Sequence, residues 1–197
     1  MPQANPLQRI SSRQVHATPL VFIREDQVRT DSGPQHPYTV IQFKVCGVCV
    51  LPIDPDGNAR LVGQHRYVAD RYTWELVRGA GNLSDPLGAA QRELKEETGL
   101  TAGKWLQVLD LMASPGLTDE RAPGFIAWET QEGRTHPDES EDLHVRKVRF
   151  REVVDLVLSG QVVDAPSCAL ILASYVRVQR GELPRDLLDL LQARSAA

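Results

Sequence analysis

The chain has 197 residues, with 22 Lys and Arg against 26 Asp and Glu, for a formal net charge of −4. That length suits one domain with a sizeable core, and the acidic balance argues against the electrostatic footprint of a nucleic-acid binder. No run of about 18 apolar residues is present, so no membrane span is expected, and Met1-Pro2-Gln3-Ala4-Asn5-Pro6 lacks the basic and apolar regions of a signal peptide.

Residues 1–17 are polar and rich in Pro and Gln, which predicts a flexible N-terminal tail ahead of a single domain over residues 18–197. Leu20 to Ile23 and Gln27 to Arg29 are expected to pair as a hairpin, and Tyr38 to Phe43 alternates as a strand does. Phe43 to Leu51 is a continuous apolar run and reads as a buried strand. Asp54-Pro55-Asp56-Gly57-Asn58 then makes a turn into a strand over Ala59 to Tyr67.

A helix is predicted over 86–98, with Ser84 or Asp85 as its cap, Pro86 in its first turn and Gly99 as its stop. Leu87, Ala90, Leu94 and Thr98 form its apolar face, and its glutamates are expected to turn outward. Strands follow near 104–112, 122–129 and 144–150, then helices over 151–159, 166–179 and 184–193. This mixture of strands and helices makes the class α/β.

Cys46 and Cys49 form a C-x-x-C, but both lie in the strand ending at Leu51. Residues three apart on a strand face opposite sides, so the two thiols are expected apart, as core residues. With Cys168 the count is odd, and a reducing cytoplasm is the natural compartment.

Glu93, Glu96 and Glu97 stand at i, i+3 and i+4 of the predicted helix and so share one face. Like charges at that spacing cost about 0.2–0.5 kcal/mol per pair. Folding gains nothing from them, whereas a hard divalent cation such as Mg²⁺ takes clustered carboxylate oxygens.

Arg92-Glu93-Leu94-Lys95-Glu96-Glu97-Thr98-Gly99-Leu100, preceded by Trp74 to Gly79 and by Asp85 to Gln91, resembles the Nudix box, G-x5-E-x7-R-E-U-x-E-E-x-G-U with U apolar. Three departures stand out. The loop after Gly79 is one residue short, Ser84 replaces the first Glu of the box, and Val77 replaces the usual Pro.

The resemblance implies a Nudix α/β/α sandwich with a mixed sheet. It also implies hydrolysis of a pyrophosphate joined to another group, with Mg²⁺, or Mn²⁺, as cofactor. Carried over position by position, Glu93, Glu96 and Glu97 become metal ligands, with the main-chain carbonyl near Arg78 as a further one. Arg92 becomes the residue that orients the glutamates.

Further segments resemble the ADP-ribose pyrophosphatase subgroup. Ser114 to Glu120 is similar to its S-P-G…D-E stretch, making Pro115 and Gly116 candidate substrate-binding residues. Asp138-Glu139-Ser140-Glu141-Asp142 resembles the acidic loop that supplies the general base, with Glu139 or Glu141 in that role. Gln64-His65-Arg66-Tyr67 resembles Q-Y-R, so Arg66 is a candidate for phosphate. Tyr67 or Tyr72 is a candidate to stack on a base, and Glu75 to hydrogen-bond the ligand. Trp74 reads as packing.

Over roughly residues 18–180 the resemblance implies a homodimer, with strands in 18–43 exchanged between subunits. The implied substrate is a nucleoside diphosphate sugar. ADP-ribose, split to AMP and ribose 5-phosphate, is favoured over GDP-mannose or UDP-glucose. A Nudix domain that binds a nucleotide sugar with little turnover is the reading of a different kind, motivated by Ser84, Val77 and the short loop.

Overall fold

The computed structural model describes residues 4–134 and 143–192. Strands β1 (Gln8–Ala17), β2 (Val21–Arg29) and β3 (His36–Phe43) make an antiparallel sheet in that order. Strands β4 (Cys46–Pro52), β7 (Val77–Gly81), β8 (Leu100–Met112) and β9 (Arg121–Glu132) form a mixed sheet ordered β7-β4-β9-β8. Within it β4 and β9 run parallel, Cys49 opposite Gly124 and Leu51 opposite Ile126. The third sheet, β10-β5-β6, joins β10 (His144–Arg149), β5 (Asn58–Arg66) and β6 (Arg71–Glu75). A 3₁₀ turn, Tyr67–Ala69, links β5 to β6.

The helices lie on two sides. Helix α1 (Pro86–Thr98) packs Ala89, Ala90 and Leu94 on Val48, Val50 and Phe125. Helices α2 (Phe150–Leu158), α3 (Ala165–Arg180) and α4 (Arg185–Gln192) pack Val153, Leu170, Ile171 and Leu187 on Leu51 and Ile126. This is the α/β/α sandwich, and β4 belongs to both cores because helices cover both its faces. Cys46 falls in one core and Cys49 in the other, the separation that period-two alternation requires. Among the described residues no helix is long and apolar enough to cross a membrane.

Local chemistry sets the ends of α1. The Asp85 carboxylate accepts the Gly88 N–H at 2.9 Å, Pro86 occupies the first turn, and Gly99 at φ 72° donates its N–H to the Lys95 carbonyl at 2.9 Å. Asp164 caps α3 likewise, accepting from the Ser167 N–H at 2.9 Å.

Four expectations change. Residues 8–17 are not a loose tail but strand β1, held by backbone pairing to β2 while all ten of its residues stay exposed. The expected hairpin at Leu20 to Arg29 is one strand, because Arg24 and Asp26 make an ion pair along it and no turn residue interrupts it. Strands β6 and β7 were not foreseen, since each is only five residues long. On α1, Leu87 is exposed while Ala89 and Glu97 are buried. Glu97 therefore turns inward and Glu93 is covered by β7 at Gly79, while Glu96 stays 40% exposed as expected.

Candidate active site

A cleft of about 610 Å³ opens between the β5–β6 hairpin, β7, α1 and the N-terminus of α3. Alternation along the hairpin puts Gln64 and Arg66 of β5 on one face with Arg71, Thr73 and Glu75 of β6, and all five line the cleft. The opposite face carries Tyr72 and Trp74, whose rings meet edge-on at 5.7 Å. Tyr72 thus faces away from the cleft, and Tyr67 stands on the linking turn, 93% exposed.

Glu75 is buried at 2% exposure. Arg66 grips it with two parallel hydrogen bonds, Nε to Oε1 at 2.9 Å and Nη2 to Oε2 at 2.5 Å, and Thr73 donates its hydroxyl at 2.5 Å. Burial pushes the Glu75 carboxyl up, but the Arg66 and Thr73 hydrogen bonds and the charges of Arg66 and Arg78 outweigh it. Glu75 is therefore held ionised below the usual carboxylate range, and its hydrogen bond to Arg66 raises the guanidinium in turn.

Arg78 enters the cleft from β7 and pairs with Asp164, the cap of α3. Ser167 donates its hydroxyl to Asp164 at 2.6 Å and accepts the Leu76 N–H at 3.1 Å, tying α3 to the strand that leads to β7. Below this, burial first, with the charges of Asp164 and Glu75, pushes the Cys49 thiol up to about 12, so it is inert.

Of the helix glutamates, Glu97 is buried and lines the cleft. Glu93 lies against Gly79 so closely that a Cβ there would fall 1.8 Å from its Cδ. Arg92 bridges Glu93 and Glu96, at 2.7 Å to each, and donates to the Ala80 carbonyl at 2.8 Å. Burial lowers the Arg92 pKa, but the two carboxylates more than offset that and keep it charged.

The donor set is oxygen-only and anionic, the kind a hard divalent cation takes. It is not a preformed cage: among the described residues no three His, Cys, Asp or Glu side chains converge closely enough to hold a metal. Arg92 engages Glu93 and Glu96 together at the edge of this donor set.

Other candidates are dispersed. Pro115 and Gly116 sit on an exposed turn closed by the Thr118 N–H to the Ser114 carbonyl at 2.8 Å. Tyr38 donates to the Gly116 carbonyl at 2.8 Å, and Asp119 accepts the Phe43 N–H at 2.7 Å, so the stretch is stitched to β3. Its last residue, Glu120, lines the cleft. Glu139 and Glu141 lie outside the described residues. Sequence reasoning missed Arg71 and Thr73. Their signal is the alternation Arg71, Thr73, Glu75, which becomes visible once β6 is recognised.

A family model for the NUDIX domain matches residues 44–167. The chain belongs to the Nudix family. This Nudix chain is 32% identical over 183 residues to an ADP-ribose pyrophosphatase of Mycobacterium tuberculosis, covering 90% of this chain and 87% of that one. It is 29% identical over 167 residues to an ADP-ribose pyrophosphatase of Bacillus subtilis, covering 82% and 89%. Among solved structures, one described as an ADP compounds hydrolase superposes with a TM-score of 0.81 at 17% identity, over 92% of this chain and 98% of that one. At that identity the superposition speaks for the fold.

Within the Nudix box, Ser84 makes only a local turn, its N–H and its hydroxyl both donating to Asn82 Oδ1 at 2.9 Å. Glu75 does not take over the missing glutamate's place beside Arg92, because it is bound to Arg66. The Ala80 carbonyl anchors Arg92 instead.

Proposed function

We propose that this Nudix protein is a pyrophosphohydrolase that cleaves the pyrophosphate bond of a nucleoside diphosphate sugar, with ADP-ribose the preferred substrate. The observation that carries this reading is that the box helix, through Glu97, and the charged face of the β5–β6 hairpin line the same cleft. Relatedness to two ADP-ribose pyrophosphatases over more than four-fifths of the chain supports the choice of ADP-ribose.

Water adds to one phosphorus and the bond from that phosphorus to the bridging oxygen breaks, giving AMP and ribose 5-phosphate. Glu139 or Glu141 is the general base that takes the proton of the attacking water. Glu93, Glu96, Glu97 and the main-chain carbonyl near Arg78 would hold magnesium, or manganese, which supplies charge neutralisation on phosphate and a more acidic water. Arg92 positions the glutamates, and the Arg66–Glu75 pair fixes the wall on which the substrate rests.

A homodimer built through the N-terminal sheet and a cytoplasmic location complete the reading. The wholly exposed β1 and the three free thiols support these two points respectively. A second reading, binding of a nucleotide sugar with little turnover, is favoured by one observation, the bridging of Glu93 and Glu96 by Arg92. Product analysis with ADP-ribose, GDP-mannose and UDP-glucose, with Mg²⁺ and with EDTA, separates the two. Metal-dependent release of AMP from ADP-ribose supports the first, and retained binding without turnover supports the second.

A further inference from the structure

Arg71 opens β6 directly opposite Arg66, the last residue of β5. Two guanidiniums facing each other on paired strands repel, which weakens the hairpin that carries them. Arg66 is relieved by Glu75, which accepts from both Nε and Nη2. Arg78, the other guanidinium on the cleft, is relieved by Asp164. Arg71 is exposed, lines the cleft and makes no ion pair with any described residue.

The carboxylates of Glu97 and Glu120 also line the cleft, so its walls oppose an anionic ligand wherever a cation is not available. The forked edge of Arg66 is already committed inside the protein, which leaves it poorly placed to give phosphate the bidentate contact that its motif suggests. Among the described residues no hydrogen bond or ion pair engages the guanidinium of Arg71.

We propose that Arg71 is the phosphate-binding residue of this cleft, and that Arg66 acts as a positioning residue through Glu75. This rests on the nucleoside diphosphate reading for the identity of the substrate, but the recognised chemistry is the diphosphate itself. Arg71 presents its fork to non-bridging phosphate oxygens at the cleft mouth, where the charge is met before the ligand reaches Glu97.

The test is calorimetric binding of ADP to the full-length protein, for native, Arg71→Ala, Arg71→Lys and Arg66→Ala, with thermal melting of each. Loss of a charge-assisted hydrogen-bonding pair predicts a Kd for ADP weakened about 10- to 100-fold in Arg71→Ala, partly restored in Arg71→Lys, with the Tm of Arg71→Ala at or slightly above native because the repulsion with Arg66 is gone. Arg66→Ala is expected to lower Tm, because it strands the buried Glu75. Binding of ADP by Arg71→Ala within about twofold of native overturns the proposal, as does a native protein that binds no ADP. Native protein that binds ADP in an Arg71-dependent way yet hydrolyses no nucleoside diphosphate sugar overturns the hydrolase reading and leaves the assignment of Arg71 standing.

Discussion

Arg66 and Glu75 close the β5–β6 hairpin from within, the guanidinium reaching along the sheet to grip a carboxylate that is only 2% exposed. The pair turns a residue with the motif position of a ligand-binding arginine into a brace for the cleft wall. Removing one partner leaves the other charge stranded in a largely desolvated place.

Glu75→Gln is therefore expected to destabilise the fold. Arg66 keeps 41% of its side chain in solvent, which screens the interaction, so the cost is set at about 1–3 kcal/mol, below the range for a fully buried pair. Urea unfolding of native and variant measures it, and a midpoint unchanged at constant m-value would show that the pair contributes nothing.

Gly79 is the contact point between β7 and the box helix, since a Cβ there would lie 1.8 Å from Glu93 Cδ. Gly79→Ala is expected to push the Glu93 carboxyl out of place, lowering kcat by about 10- to 100-fold, the range for groups that orient metal ligands. Stability is expected to fall by about 1–3 kcal/mol, as for other overpacked sites. Steady-state kinetics beside thermal melting separates the two effects.

Far from the cleft, Asp186 accepts from Lys104 at 2.6 Å and from the Trp128 indole at 2.9 Å. These bonds, Lys104 first, lower its pKa from 3.8 to about 2. A carboxyl depressed on folding contributes stability that is fully present above its unfolded pKa and lost as pH falls through the folded one. The Tm difference between native and Asp186→Asn is thus expected to be constant above pH 5 and to shrink between roughly pH 4 and pH 2. A difference that grows on acidification contradicts the assignment.

Leu94 is wholly buried between α1 and the mixed sheet. Leu94→Ala is expected to cost about 2–5 kcal/mol by removing the side chain and leaving a cavity, measured by denaturant unfolding. Because Leu94 lies between Glu93 and Lys95 on the box helix, activity is expected to decline with stability rather than independently of it.

What could be read from the sequence follows the range of the causes. The ends of α1 at Pro86 and Thr98 were legible because Asp85, Pro86 and Gly99 act within a few residues. Strand β4 was legible because burial on both faces makes it apolar throughout. Strand β1 was not, since every residue is exposed and, among the described residues, its strand pairing is with β2 alone, which leaves no apolar pattern to detect. The glutamates of the site were legible as a set, but the covering of Glu93 depends on β7 and Gly79, a tertiary contact. Likewise, the commitment of Arg66 to Glu75 depends on a register that no local signal states.

Glu97, buried at the cleft, is the residue proposed to serve metal-dependent cleavage of ADP-ribose. The most direct measurement is the rate of AMP release from ADP-ribose, with Mg²⁺ and with EDTA, by native protein and by Glu97→Gln. AMP and ribose 5-phosphate are expected in equal amounts from native protein with Mg²⁺, none with EDTA, and a loss of at least about 10- to 100-fold in Glu97→Gln with ADP-ribose still bound. Turnover that survives EDTA, or that is unaffected by Glu97→Gln, would contradict this role.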